Sequence, residues 1–430
     1  MIRMFRKLLT FDEAQAVIRQ KLKPKRLGVE RTKLLDASNR VLAENIIATL
    51  DIPPFSRSTV DGYAVRAEDT FGADEKNPIT LKVCGIVNIG ESPKTTVQQG
   101  NAAEIVTGAP MPDGSDAVVM VEHTERIDEN VSVFTAVAKD ENAMKAGVDL
   151  KKGETVLKAG QLLGSREIGV LAALGLAKIK VCKVPHVAVL STGPELTEPG
   201  KKLSFGKIYD INAYSLSAAV QESAGTPVYL GVFPDSFSEL QKALKCALAS
   251  ADIVLTSGGV SVGPKDIMPK ALGSLGKPGL IICGIAIKPG KPTTVASIDG
   301  KPVFSLPGHP TSALLAFHLF ARPLIQLMAG RKAERDLEVK ALAAMRMIPA
   351  KGRRTFIMVK LKQDKSGRLV AEPVPAGVSG AITTLAKADG FVEILENVQF
   401  VDESEEVTVH LFEMKAVRNA VASENACKTW

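Results

Sequence analysis

The sequence predicts a multidomain α/β chain: a doubly wound α/β domain, an inserted β-rich domain, a helical module and a C-terminal β-barrel. Three observations carry this expectation. From His186 onward, apolar strand-like runs alternate with helical patterns, the rhythm of a parallel sheet covered on both faces. Between about 51 and 142 the texture changes to short β-type runs broken by turns, with helical texture on either side, as an insertion produces. From about 335 to 414 it is β again. A length of 430 residues with 45% apolar side chains accommodates three or four such domains.

In chain order, residues 10–23 place Ala14, Val17, Ile18 and Leu22 at helical spacing. Thr10-Phe-Asp-Glu13 reads as a capping box and Pro24 ends the helix. Thr80–Val87, Ala117–Glu122 and Val131–Phe134 read as strands of the insertion. Helix and short extended segments resume over 145–183. Strands are expected at 186–190, 227–233, 252–256 and 280–287, with helices near 212–224, 236–249 and 264–274. A hairpin turns on Asp299-Gly300 and a long helix starts at Thr311. The expected domains are a discontinuous helical module (8–50 and 143–183), the insertion (51–142), the α/β domain (184–331), the barrel (335–414) and a disordered tail (415–430).

Composition narrows the function class. A net charge of +7 fits a solvated surface with slight lysine excess, or a field that draws in anions. Nucleic acid is disfavoured, because aromatics are only 5% and no basic-aromatic strip occurs. The cysteines (84, 182, 246, 283, 427) are odd in number and never form C-x-x-C, which argues against a disulfide framework or cysteine-based zinc site and for a reducing cytoplasm. The most apolar late stretch, Ser312 to Gly330, contains His318, Arg322 and Pro323 and reads as a core helix of a soluble protein. No G-x-G-x-x-G follows a strand, so a dinucleotide dehydrogenase is disfavoured.

The chemistry concentrates where the α/β strands end. Thr256-Ser-Gly-Gly-Val-Ser-Val-Gly-Pro-Lys-Asp266 couples an apolar strand to a glycine-rich turn and a helix. Such a turn lets backbone N–H groups approach phosphate oxygens. Leu190-Ser-Thr-Gly-Pro-Glu195 is a matching loop, and the strand at 227–233 ends in Pro234-Asp235. Glu195, Asp235 and Asp266 thus fall on one sheet edge beside an anion cradle, an arrangement that needs a hard cation such as Mg²⁺. Each acid taken singly also fits a cap or turn, Asp235 as a cap before Ser236. Lys288-Pro-Gly-Lys-Pro292 and Leu306-Pro-Gly-His-Pro310 are stiff loops, and Lys288 and Lys291 are oxyanion candidates. In the insertion, Pro53–Ala64 and Thr107–Gly114 are dense in turn and polar residues.

Together these segments resemble the molybdopterin molybdotransferase family, MoeA in bacteria and archaea and the E domain of gephyrin in animals. The resemblance rests on PPFSRSTVDGYAVR (53–66), TGAPMPDGSDAVVMVE (107–122), AGVDLKKGE (146–154), STGPEL (191–196), TSGGVSVGPKD (256–266), KPGKP (288–292), SLPGHPTSA (305–313) and GRRTF (352–356), in the family's order. It implies a MoaB/MogA-like doubly wound α/β domain, an inserted β-rich domain, an elongated helical module and a C-terminal β-barrel, in a homodimer whose site joins the α/β domain of one subunit to the β-rich domain of the other. The implied substrates are molybdate, or tungstate, and adenylylated molybdopterin, with AMP released in the presence of Mg²⁺. By motif, the implied catalytic residues are Asp61, Thr107, Asp149, Glu195, Asp235 and Asp266, of which Glu195, Asp235 and Asp266 hold the metal. Substrate binding is implied for Thr192, Gly193, Ser257, Gly258, Gly259, Ser261, Lys288, Lys291, Pro307, Pro310, Arg353 and Arg354. The implied further partners are the molybdopterin adenylyltransferase and recipient molybdoenzymes. Two positions depart from the family: Pro194 stands where Asp or Asn is usual, and Asn142-Ala-Met-Lys145-Ala replaces an arginine-rich stretch. The preceding adenylylation step and a peptide-binding scaffold remain the alternative functions.

Overall fold

A computed structural model describes residues 8–259, 267–331, 337–375 and 383–412. The chain forms two compact units, one of residues 1–30, 39–41 and 181–430, the other of residues 31–38 and 42–180.

Helix α1 (Phe11–Leu22) carries the expected capping box: Glu13 N donates to Thr10 Oγ1 at 3.2 Å and Thr10 N to Glu13 Oε2 at 2.8 Å. Its apolar stripe of Phe11, Ala14, Ile18 and Leu22 is buried in the α/β core, and Phe11 packs on Phe320 and Phe356. Its place in the sequence groups it with the helical module; its packing places it in the first unit.

The second unit is built on a six-stranded sheet. Its strands are β1 (Gly62–Val65), β2 (Ile79–Val87), β3 (Asn101–Ile105), β4 (Ala117–Met120), β5 (Thr124–Ile127) and β6 (Asn130–Val133), in the order β4-β1-β3-β2-β6-β5. Alternation puts Tyr63, Val65, Val119 and Val131 on one buried face and Ala64, Ala103, Ile105 and Val118 on the other. Among the described residues α2 (Ser165–Ala173) is this unit's one α-helix; short strand pairs fill the rest of 143–180.

The α/β part of the first unit runs β7 (His186–Thr192), α3 (Asn212–Glu222), β8 (Thr226–Phe233), α4 (Phe237–Ser250), β9 (Ile253–Ser257), α5 (Ile267–Gly273), β10 (Pro278–Cys283), β11 (Thr294–Ile298) and β12 (Lys301–Leu306). The sheet order is β8-β7-β9-β12-β11-β10. Ladders among β8, β7, β9 and β12 are parallel, whereas β11 is antiparallel to both its neighbours. The sheet is therefore parallel over four strands, as expected, and mixed at the end where the expected hairpin lies. The cause is local: Asp299 (φ 51°) and Gly300 (φ 85°) make a two-residue turn that folds β12 straight back on β11. Val187, Val189, Ile253, Leu255, Phe304 and Leu306 face α3 and the helical run that follows β12. Ala188, Leu190, Val254 and Val303 face α4 and α5.

Pro310–Met328 is apolar and long enough to cross a bilayer, but 56% of it is buried within the protein. It divides into α6 (Pro310–Ala316), a π turn (Phe317–Ala321) and α7 (Arg322–Met328). The barrel strands β13 (Glu338–Ala343), β14 (Arg354–Gln363), β15 (Leu369–Pro373), β16 (Gly390–Ile394) and β17 (Glu406–Leu411) close in the order β14-β15-β13-β17-β16-β14 around Val359, Leu361, Val392 and Val409. The expected tail lies outside the described residues.

Candidate functional site

Because β7 leads to β8 on one side and β8 returns to β9 on the other, the chain reverses its winding between β7 and β9. Open α/β sheets hold ligands in the crevice at the carboxyl ends of strands at such a point. Here that crevice is flanked by Thr192–Glu195 and Gly258–Gly259. Gly258 has φ +90°, and a Cβ on it would lie 2.2 Å from the Thr192 carbonyl oxygen. Gly259 has φ +67°, and its Cβ would lie 2.8 Å from Thr192 Oγ1 and 3.7 Å from Asp235 Oδ1. Glycine is needed twice, since L side chains disfavour the conformation and the space is taken.

Two of the acids lie on this edge. The Asp235 carboxylate lies beside Gly259, and that of Glu195 folds back over Gly193, 2.7 Å from where a Cβ would sit. Asp235 does not cap α4, the role its sequence position also allows: Ser236 does, its Oγ accepting from Glu239 N at 3.4 Å. Asp235 is left at the rim with its carboxylate exposed. Thr192 Oγ1 is buried and has no hydrogen-bond partner among the described residues. Asp266 and Ser261 lie outside the described residues, and among the described residues no three acids, histidines or cysteines are grouped closely enough for a metal. The donors that this edge offers, the two carboxylates and the Thr192 hydroxyl, are all oxygens, the kind that suit a hard cation.

The rest of the edge continues in register. Beside β9 lies the end of β12, with Pro307 and Pro310; beside β12 lies the start of β11, where Thr294 pairs with Ser305. That pairing brings Lys288–Pro292 to the same edge. Lys288 in turn pairs with Thr355 across a short parallel ladder, next to Arg353. Along one rim the order is therefore Asp235, Glu195, the glycine turn, the proline loop, then Lys288 and Lys291. Neither lysine nor Arg353 has an ion-pair partner among the described residues. Pro310 is the first residue of α6, where proline fits without losing a hydrogen bond.

Two expected binding residues, Ser257 and Arg354, have partners within the protein. Arg354 is buried, and its guanidinium meets Glu393 (2.6 Å), Asp12 (2.7 Å) and Glu396 (3.0 Å). Burial alone would lower its pKa, but the hydrogen bonds to these acids outweigh it and raise the value. Each of its three nitrogens donates to a carboxylate, so it joins α1 to the barrel as a structural ion-pair centre. Ser257 is likewise buried, its hydroxyl held by Asn212 Nδ2 at 2.6 Å and directed to the Pro307 carbonyl at 3.4 Å.

Sequence reasoning misses a buried polar group behind the rim. Asp210 Oδ1 accepts from Ser191 Oγ at 3.0 Å and Ala213 N at 3.1 Å. Tyr229 has its pKa raised by burial first, then by the Asp210 and Glu198 carboxylates, so the phenol stays protonated. The only signal is Tyr209-Asp-Ile-Asn212 ahead of a helical run, which reads equally as a cap. At the departure Pro194, the backbone carbonyl accepts from the Lys207 ammonium. The other departure, Lys145, pairs with Asp140 at 2.6 Å.

In the second unit, Asp61 Oδ1 accepts from Thr107 N at 2.6 Å and Thr107 Oγ1 at 2.8 Å. These bonds, the backbone one first, hold the Asp61 pKa below the ordinary aspartate value. Its charge-linked stability is thus complete above the unfolded-state pKa and is lost as pH falls through the lower folded value. Thr107→Val keeps the backbone donor and removes the hydroxyl, so the Asp61 carboxyl is expected to titrate at higher pH; an NMR titration with no upward shift contradicts this. Asp149 is exposed, and its backbone N–H donates to Ile52 O at 3.1 Å.

Comparison with known proteins decides the family. Three family models match in order: MoeA N-terminal region (domain I and II) at 9–175, "Probable molybdopterin binding domain" at 188–327, and MoeA C-terminal region (domain IV) at 340–412. A molybdopterin molybdenumtransferase of Haemophilus influenzae is 34% identical over 407 residues, 94% of this chain and 99% of the relative. This chain belongs to the MoeA family. Molybdopterin molybdenumtransferase 2 of Mycobacterium tuberculosis is 35% identical over 369 residues, covering 85% of this chain and 90% of its own. A crystal structure of a MoeA molybdopterin biosynthesis protein from Pyrococcus horikoshii shares 40% identity and a TM-score of 0.81, over 95% of this chain and 100% of that one. As expected of MoeA proteins, the doubly wound domain, the inserted β-rich domain and the closed barrel are all present.

Proposed function

We propose that this transferase of molybdenum cofactor biosynthesis inserts molybdate into adenylylated molybdopterin and releases AMP. The observation that supports it most is the rim of the α/β sheet, with carboxylates at one end, a glycine turn at the winding reversal and lysines at the other. In this reading the Gly258 and Gly259 backbone receives the pyrophosphate. Lys288, Lys291 and Arg353 attract the oxyanion or the pterin phosphate. Glu195 and Asp235, with Asp266, hold Mg²⁺, which supplies charge neutralisation at the phosphates. The Thr192 hydroxyl, which lacks a partner among the described residues, is a candidate donor to the phosphates. We further propose a cytoplasmic homodimer.

The test supplies adenylylated molybdopterin, Mg²⁺ and molybdate, with tungstate in parallel, and follows AMP. Asp235→Asn keeps side-chain volume and removes the charge, and should lower AMP release about 100-fold or more with an unchanged circular dichroism spectrum. An undiminished rate in that variant removes the metal-holding role. ATP plus free molybdopterin yielding the adenylylated pterin instead favours the adenylyltransferase reading.

A further inference from the structure

We propose that Asn212 is a positioning residue for the pyrophosphate cradle, a role that rests on the function proposed above. Asn212 opens α3 and is 7% exposed. Its amide Nδ2 donates to Ser257 Oγ at 2.6 Å and to the Gly308 carbonyl at 2.7 Å. Both side-chain N–H groups are thus used, and each reaches a different strand-end loop, 45 and 96 residues away in sequence. Ser257 immediately precedes the glycine turn, and Gly308 lies in the proline loop. The two loops are otherwise joined at this level by Gly258 N donating to Leu306 O at 3.3 Å and by the Ser257 hydroxyl reaching Pro307 O. A Cβ on Gly308 would stand 3.9 Å from Gly258 Cα, so the loops run side by side with no bulk between them.

One amide therefore sets the spacing of the turn that receives phosphate and the loop beside it. Its own acceptor, Asn212 Oδ1, is buried and without a partner among the described residues, as are Asp210 Oδ2 and Thr192 Oγ1. Buried polar groups without a protein partner are few in folded proteins, and each calls for an explanation. Asn212 does not touch the reacting atoms. It acts through Ser257 and Gly308, and a displacement of about 1 Å at a reacting centre is enough for a 100-fold loss.

The test compares two variants. Asn212→Asp keeps the shape but puts a carboxylate oxygen opposite the Gly308 carbonyl, which loses its donor and is repelled. Ser305→Ala removes another buried bond between the same two strands, Thr256 Oγ1 to Ser305 Oγ at 2.7 Å, one step deeper than the loops. Affinity for inorganic pyrophosphate with Mg²⁺ is measured by calorimetry and the melting temperature by circular dichroism. Asn212→Asp should weaken pyrophosphate at least about tenfold and raise KM for adenylylated molybdopterin by a similar factor. Ser305→Ala should lower the melting temperature and leave affinity within about twofold. If Asn212→Asp fails to fold, Asn212→Ser, too short to reach both loops, replaces it. The proposal is overturned if the Asn212 variant binds pyrophosphate like wild type, if both variants lose affinity in proportion to melting temperature, or if wild type binds no pyrophosphate. AMP release by wild type decides the function separately: a protein that binds pyrophosphate through Asn212 yet releases no AMP keeps this inference and loses that function.

Discussion

Gly258→Ala is expected to lower kcat/KM for AMP release by about 100-fold while leaving most of the protein folded. The added methyl group would meet the Thr192 carbonyl oxygen at 2.2 Å and its carbon at 3.3 Å. Real Cβ atoms essentially never approach below 3.0 Å, and the obstacle is main chain of an adjacent buried strand. The turn must retreat by about 1 Å, and at φ +90° an L residue adds about 1–2 kcal/mol of local strain. Both effects fall on the turn proposed to receive phosphate, beside Asp235 and Thr192, so the loss is expected in function before stability. Steady-state kinetics beside a thermal melt check this. Activity within threefold of wild type would mean that the turn does not hold substrate in this position.

Gly62→Ala should instead act on stability. A Cβ there would lie 1.9 Å from the Val119 carbonyl oxygen and 3.0 Å from Val121 N. Gly62 sits in β1, paired with Ile105 on one side and Met120 on the other, so neither neighbouring strand is at liberty to move. Parting a central ladder costs about 3 kcal/mol, and it also shifts Asp61, whose carbonyl accepts from Val121 N at 3.0 Å. Denaturant titration should show the second unit unfolding earlier, with the hydrogen bonds between Asp61 and Thr107 broken. A midpoint equal to wild type contradicts the assignment. Glycine in Asp61-Gly62 is explained by this close approach of main chain; a turn conformation is not the cause.

Much of the fold is legible in the sequence because its signals are local. The capping box at Thr10 and Glu13, the turn at Asp299-Gly300, and the alternation of buried strands with helices each depend on residues close together in sequence. The antiparallel strand β11 is less so, since hairpin chemistry names a turn but does not say which sheet receives the returning strand. Arg354 misleads for a related reason. A paired arginine and a ligand-binding arginine look alike in sequence, and Asp12, Glu393 and Glu396 approach it from 342, 39 and 42 residues away.

By itself the sequence determined where glycine-rich turns and acids follow apolar strands, because these depend on residues close together in the chain. It also determined the family, through motifs spread over nearly the whole length. The tertiary structure decided their arrangement: the reversal of winding between β7 and β9, the order of acids, glycines and lysines along one rim, and the recruitment of Asn212 to join two loops. Strand order depends on contacts between distant segments, and no local spacing encodes it.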